Sequence, residues 1–220
     1  MRIAALIGVV VAGLMLFGLA APATAAPSLG GYTGLLLTPT ADALDRDEYN
    51  LGFFALNLEE GGDENVYVAN LGLADGVEVG VARVKPDEGA SETFVNAKYR
   101  IRPEDGKKPA LAAGVMDATD ELETSVYFVM SQSLSTLLKS SNEEITNPRL
   151  HLGVGGGRLK GFFAGASVAL GDTLTLMAEY DTDDINLGAR LAVGHGFRAH
   201  AGWLNGLDDF AIGASFNKMF

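Results

Sequence analysis

The chain has no cysteine among its 220 residues. That excludes a disulfide scaffold, a thiolate zinc centre and a cysteine nucleophile. Basic residues are scarce: 16 Lys and Arg stand against 28 Asp and Glu, a formal net charge of −12 with a pI of about 4.6. A chain this acidic repels phosphate backbones, so no nucleic-acid partner is expected. Motifs of chemistry are missing as well. No Gly-x-Ser-x-Gly, His-Glu-x-x-His or P-loop pattern occurs, and Gly153 to Arg158 lacks the closing glycine of a dinucleotide fingerprint. His151 and His195 stand isolated, and the acidic runs 59–64 and 117–123 do not keep the spacing of a calcium loop, so neither a metal nor a cofactor is expected. Past residue 21 no apolar run is long enough to cross a membrane as a helix.

What is present is an apolar fraction of 48% and a mean hydropathy of +0.18, high for so acidic a chain. Some apolar residues are therefore expected to face lipid rather than a core. Met1-Arg2 leads into an uncharged run from Ile3 to Ala21, and Ala23 and Ala25 are the small residues a signal peptidase requires. Residues 1–25 read as a secretory signal peptide, with an uncleaved anchor as the alternative.

The remainder alternates with a period of two, in short segments set between Gly, Asp, Asn and Pro. Candidate strands cover 49–58, 64–73, 77–84, 92–101, 110–117, 124–133, 149–156, 161–170, 174–181, 185–193, 197–204 and 210–220, about twelve in all. Register can be tested in the last third, because correct hairpins place like faces together. A turn at Gly171-Asp172-Thr173 pairs Leu170 with Leu174, Val168 with Leu176, Ala166 with Ala178 and Ala164 with Tyr180. A turn at Asp183-Asp184 pairs Tyr180 with Leu187 and Leu176 with Leu191. A turn at 194–196 pairs Val193 with Phe197 and Leu187 with Trp203. One apolar face then runs across four strands, and the opposite face is polar, charged and glycine-rich.

A soluble sandwich alternates too, but three features favour a membrane barrel, apolar outside and polar within. Tyr180, Leu187, Trp203 and Phe210 fall on one level, like an interfacial girdle. Tight turns at 74–76, 171–173 and 194–196 share one end, while acidic links at 59–65 and 85–91 share the other; the long link 134–148 is the exception, with room for a short helix at 134–138. The chain ends on alternating residues with Phe216 and a terminal Phe220, which looks like the signal read by the barrel-assembly machinery. An open sheet in lipid would leave a row of unpaired N–H and C=O groups, so the last strand is expected to pair with the first. The expected fold is all-β: a closed antiparallel up-and-down transmembrane barrel over 49–220, behind an extended segment 26–48.

That segment contains Gly34-Leu35-Leu36-Leu37-Thr38-Pro39-Thr40-Ala41-Asp42-Ala43-Leu44, followed by a charged turn and Tyr49-Asn50-Leu51-Gly52-Phe53-Phe54. It resembles the opening of the YjbH-type exopolysaccharide-associated outer-membrane proteins, with Gly34, Thr38, Pro39, Thr40 and Ala41 carrying the match. The resemblance implies an outer-membrane barrel connected with export or handling of extracellular polysaccharide, and partners from such a pathway. Pro39 cannot donate a ladder hydrogen bond, so 38–40 is no central strand. The segment reads either as a plug in the lumen or as a lead-in to the first strand.

Two inward clusters follow from the expected register. Arg190 lies opposite His200 and diagonal to Glu179, with Asp181 and Arg198 on the same face; Glu78 faces Lys98, Arg100 and Asn96. Ion pairing across the wall is expected, since isolated charges there are costly. The same groups could instead line a selective lumen. His200, Ser215 and Glu179 are the residue types of a hydrolase but point inward, away from lipid, so no enzyme is expected. The sequence thus predicts a monomeric barrel surrounded by outer-membrane lipid, transporting through a polar lumen; a blocked interaction barrel and a secreted soluble β-domain are the alternatives.

Overall fold

Strict alternation makes each strand a ribbon with two unlike faces, and a dozen such ribbons can hide their edges by closing on themselves. The computed structural model, which describes residues 25–60, 62–106, 108–135 and 145–220, shows that closure. The candidate signal peptide lies outside the described residues.

The described residues form twelve strands: β1 Glu48–Leu58, β2 Gly62–Ala74, β3 Val77–Pro86, β4 Glu92–Arg102, β5 Ala110–Met116, β6 Ser125–Ser133, β7 Ile145–Gly155, β8 Gly161–Leu170, β9 Leu174–Tyr180, β10 Ile185–Gly194, β11 Phe197–Leu204 and β12 Asp209–Met219. Each pairs antiparallel with its sequence neighbours, and β1 pairs with β12 from Glu48 opposite Met219 to Asn57 opposite Phe210. The seam carries the terminal aromatics: Leu51 faces Phe216, Tyr49 packs on Phe220 with ring centroids 4.7 Å apart, and Phe197 packs on Phe216 at 4.7 Å.

Strand faces are as the alternation predicts, but one register is not. The β8–β9 pairing matches, with Ala164 opposite Tyr180 and Leu170 opposite Leu174. Between β9 and β10 the partner of Tyr180 is Ile185, not Leu187, and that of Leu176 is Ala189. The slip is two residues, which preserves which face is apolar and so escapes any test based on alternation. A bulge between Ala192 and Gly194 then brings Gly194 opposite Phe197, so the expected Val193–Phe197 pair is absent. β7 begins four residues early. Pro148 has no N–H to give the ladder, and the register with β8 shifts between Thr146 and Arg149 to absorb it.

The girdle is revised accordingly. Leu187 faces Trp203 and Trp203 faces Phe210, with rings 5.4 Å apart, while Tyr180 belongs one pair further along with Ile185. The start of β1 and the end of β12 share one mouth with turns 75–76, 171–173 and 195–196, and also with the longer links 103–109 and 134–144. The expected contrast of short and long ends is therefore not found. The opposite mouth carries links 59–61, 87–91, 117–124, 156–160, 181–184 and 205–208, shorter at 59–61 than expected because β2 starts at Gly62. Most of the helix expected at 134–138 lies outside the described residues. The longest link at the opposite mouth is folded around Asp117, whose carboxylate accepts from the Glu121, Leu122 and Glu123 N–H groups and the Thr119 hydroxyl. Desolvation raises its pKa, but these bonds outweigh it and hold the group below the usual carboxylate range.

The interior is not uniformly polar. Towards the mouth opposite the start of β1, Phe54, Val66, Val68, Phe94, Leu204 and Ala211 join Leu29, Leu35 and Leu36 of the N-terminal segment in one buried cluster. Tyr32 and Ala41 join Tyr127, Val129, Leu159 and Phe163 in a second. An expectation of a polar lumen fails for this half. The register pairs examined in β8 to β12 put mostly polar residues and glycines inward but left out Phe163, Met177 and Leu204, and β1 to β6 carry large apolar residues on both faces.

Candidate functional site: a plugged lumen

Residues 25–44 precede the first strand and are buried against the inner wall of the barrel, while 45–47 are exposed. Pro39 supplies one reason for their shape: unable to join a ladder, the segment folds back on itself through single bridges, Pro27 to Thr33 and Gly34 to Pro39. Its own bonds are few, among them Leu29 N–H to the Leu36 carbonyl at 2.9 Å and Leu35 N–H to the Thr38 carbonyl at 2.9 Å. Most of its backbone groups would be orphaned in a dry lumen, so the wall must supply partners.

Two carboxylates take the amide groups. Glu179 on β9, 3% exposed, accepts from the Leu36 and Thr38 N–H groups at 3.1 Å each, from the Leu37 N–H at 2.7 Å and from the Thr38 hydroxyl at 2.8 Å. Three successive amides converging on one carboxylate form an anion nest. Glu78 on β3 accepts from the Thr33 N–H at 2.7 Å, the Thr33 hydroxyl and the Leu44 N–H at 3.0 Å.

Cations and amides of the wall take the carbonyls. Lys98 donates to the Thr33 and Asp42 carbonyls, Asn96 to those of Gly30 and Gly31, and Arg100 to Ala43 at 3.2 Å. Arg190 reaches the Gly34 and Leu35 carbonyls at 3.3 Å. Ionic contacts fix the exit: Arg149 grips Asp42 through both nitrogens at 2.7 and 3.0 Å, and Arg100 meets Asp45 at 3.1 Å.

The two predicted clusters are both present on the inner wall, but their partners differ from expectation. Glu78 and Lys98 do face each other, 3.9 Å apart. Arg190 is opposite His200 as expected, yet the register slip puts Glu179 opposite Asn186, out of the diagonal position. Glu179 and Arg190 serve the plug backbone instead of each other. Asp181 accepts from Asn186 at 2.8 Å and from the turn amides of Asp183 and Asp184. His200 and Ser215 are hydrogen-bonded at 2.7 Å, but Glu179 orients neither.

The motif residues are all in the plug. Thr38 binds Glu179, the Ala41 N–H donates to Ser131 Oγ at 2.9 Å, and the Thr40 hydroxyl meets Asp42 at 3.3 Å. Gly34 needs its bareness, since a Cβ there would strike the Thr38 carbonyl.

Sequence reasoning missed Arg149, Ser131, His151, Asn70 and Glu104 as parts of this network. Their strands belong to the half of the chain where no register was tested. Another signal was visible and unused: inward glycines. A Cβ on Gly80 would occupy the place of the Gly31 carbonyl oxygen, and one on Gly72 that of Asp45; Gly188 and Gly202 leave room for Leu36, whose nearest atoms would lie 2.8 and 2.9 Å from the added carbons. The wall is thinned where the plug runs.

The fold has solved counterparts. The "KdgM porin" superposes with a TM-score of 0.54 over 76% of this chain and 98% of its own at 10% identity. The "KdgM porin in complex with disordered oligogalacturonate" gives 0.52 at 11% identity with the same coverage. Likeness at this identity concerns the barrel fold alone. No protein-family model matches the chain, and no curated protein matches it in sequence.

Proposed function

We propose that this chain is an outer-membrane barrel blocked by its own N-terminal segment, acting through its surfaces and mouths in the handling of envelope polysaccharide rather than as an open channel. The observation that carries the blocked reading is the plug: many of its amides and carbonyls bond to the inner wall, and Leu29, Leu35 and Leu36 pack into the wall's apolar cluster. Membrane placement is supported by the outer face, where Val126, Val154, Phe197 and Trp203 are half-exposed or more in a chain whose sheet has no free edge. A soluble barrel of this size has no reason to leave such residues in water.

The polysaccharide reading rests on two supports. One is the resemblance of the plug motif to YjbH-type proteins. The other is the fold shared with a porin seen with oligogalacturonate. Export by a signal peptide, insertion by the assembly machinery through Phe216 and Phe220, and a monomeric state complete the proposal. No catalytic role is assigned, because the hydrogen-bonded Ser215 and His200 face inward and no carboxylate orients the histidine.

Membrane placement is tested by folding residues 26–220 in detergent and comparing gel mobility with and without boiling. The expected result is a shift that depends on detergent during folding. A folded, water-soluble monomer that needs no detergent would overturn it.

A further inference from the structure

We propose that Arg198 and Arg190, with the Ser215 hydroxyl, form a binding site for an oxyanion, a carboxylate or phosphate group, near the mouth where β1 begins and β12 ends. Arg198 is the second residue of β11, opposite Ser215 on β12 and Ala192 on β10; Arg190 lies two pairs deeper, opposite His200. The ion pairs of the described residues involve Lys98, Arg100 and Arg149, and none involves Arg190 or Arg198. Two guanidinium groups thus share one patch of wall without a carboxylate in contact.

The Arg198 side chain makes the case sharper. The residue is 8% exposed, and its Nη1 has no hydrogen-bond partner. A buried charge left unpaired costs several kcal/mol, a cost that a bound counter-ion removes. Glu48 and Glu179 act on Arg198 and Arg190 only from beyond ion-pair distance. Glu48 accepts from Asn217 Nδ2 at 2.7 Å and from the Asp45 N–H at 3.0 Å, and Glu179 is taken up by the plug amides.

The direction of the hydrogen bonds also fits an anion. Arg190 Nε can only donate, so His200 Nδ1, 3.3 Å away, must accept. His200 is then neutral with its proton on Nε2, which donates to Ser215 Oγ at 2.7 Å. The Ser215 hydroxyl hydrogen is left to point outward from that pair. The Arg198 Nη1 group and the Ser215 hydroxyl are thus donors left without an acceptor, which an oxyanion supplies. Arg190 itself is only partly buried.

Occupation of the site has a consequence for the plug. Arg190 Nη2 spans the Pro27, Gly34 and Leu35 carbonyls at 3.3 to 3.5 Å, long bonds that an oxyanion would outcompete. The inference stands on the wall geometry and is independent of the polysaccharide reading.

The test uses the detergent-folded barrel, residues 26–220, titrated calorimetrically with inorganic phosphate and, separately, with galacturonate; neutral galactose is the control. One or both anions should bind and galactose should not, and the arm that binds more tightly identifies the oxyanion. Arg198→Gln should weaken binding about tenfold or more, the effect of losing one charge-assisted hydrogen bond, whereas Lys160→Gln at the far mouth should not. The anion-free thermal midpoint of Arg198→Gln should equal or exceed that of the unmodified chain, because an uncompensated charge is gone. If Arg198→Gln does not fold, Ser215→Ala reads the same loss of affinity. No binding of either anion at millimolar concentration, or binding unaltered by both substitutions, would overturn the site.

Discussion

Replacing Glu179 with alanine is expected to release the plug while leaving the barrel closed. The substitution removes the acceptor of the Leu36, Leu37 and Thr38 N–H groups and of the Thr38 hydroxyl, all inside the lumen. Each buried donor left without a partner costs about 1–3 kcal/mol, so the four together exceed what the turn retains through its bonds within the plug, Leu35 N–H to Thr38, Leu29 N–H to Leu36 and the Tyr32 hydroxyl to Leu37. Part of that loss is offset, since a buried carboxylate no longer needs desolvating. A net effect of about 3 kcal/mol corresponds to roughly a hundredfold faster hydrogen exchange at residues 36–38. The closure of β1 on β12 does not depend on Glu179, so the heat-dependent gel shift should persist. Unchanged protection at residues 36–38 would show that the nest does not hold the plug.

Gly80→Ala should do comparable damage by a different route. The added Cβ would occupy the place of the Gly31 carbonyl oxygen, which is backbone and cannot rotate away. The plug must lift from the wall, and with it the Asn96 bonds to Gly30 and Gly31 at 2.7 and 3.0 Å. Overpacking of this kind costs about 1–3 kcal/mol or more. Gly156→Ala is the matched control: nothing lies within 4 Å of its added Cβ, and its φ of −128° suits any residue. Chemical unfolding in detergent should separate the two, with a lower midpoint for Gly80→Ala and a midpoint within error for Gly156→Ala. Equal midpoints would mean that the plug does not press on β3.

The sequence revealed the strands and concealed their filling, for physical reasons that can be named. Period-two alternation over Leu174 to Leu204 needs only local chemistry, so strand number, facing and closure were legible. A two-residue slip such as that placing Tyr180 opposite Ile185 changes no face and leaves no mark in the pattern. The error was small, but it moved Glu179 away from Arg190. An ion pair then looked natural where the structure has a carboxylate capping three plug amides and a guanidinium capping plug carbonyls.

The plug itself was half visible. Pro39 and the glycines of 30–34 marked a segment unable to be a strand, and inward Gly72, Gly80, Gly165, Gly188 and Gly202 marked a wall with room beside it. What no local pattern could show is that a backbone, rather than side chains, is the chief partner of the charged residues. Backbone amides and carbonyls are the same at every residue, so their use as ligands leaves no trace in composition.

An acidic chain with a charged inner wall would ordinarily suggest a pathway for ions. Here the same charges are occupied: Lys98, Arg100, Arg149 and Arg190 bind the plug, and Glu78 and Glu179 bind it from the opposite sign. Beyond them lies the apolar cluster around Phe54, Phe94 and Leu36. On the blocked reading proposed above, both must move before anything passes.

Conductance of the intact barrel in a planar bilayer tests this most directly. With residues 26–45 seated on Glu78 and Glu179 and the apolar cluster beyond them, inserted wild-type protein should add no stable current above the bare bilayer, even though its heat-dependent gel shift shows that it is folded. Steady, long-lived channel openings from that same protein would contradict a filled lumen and restore the open transport barrel.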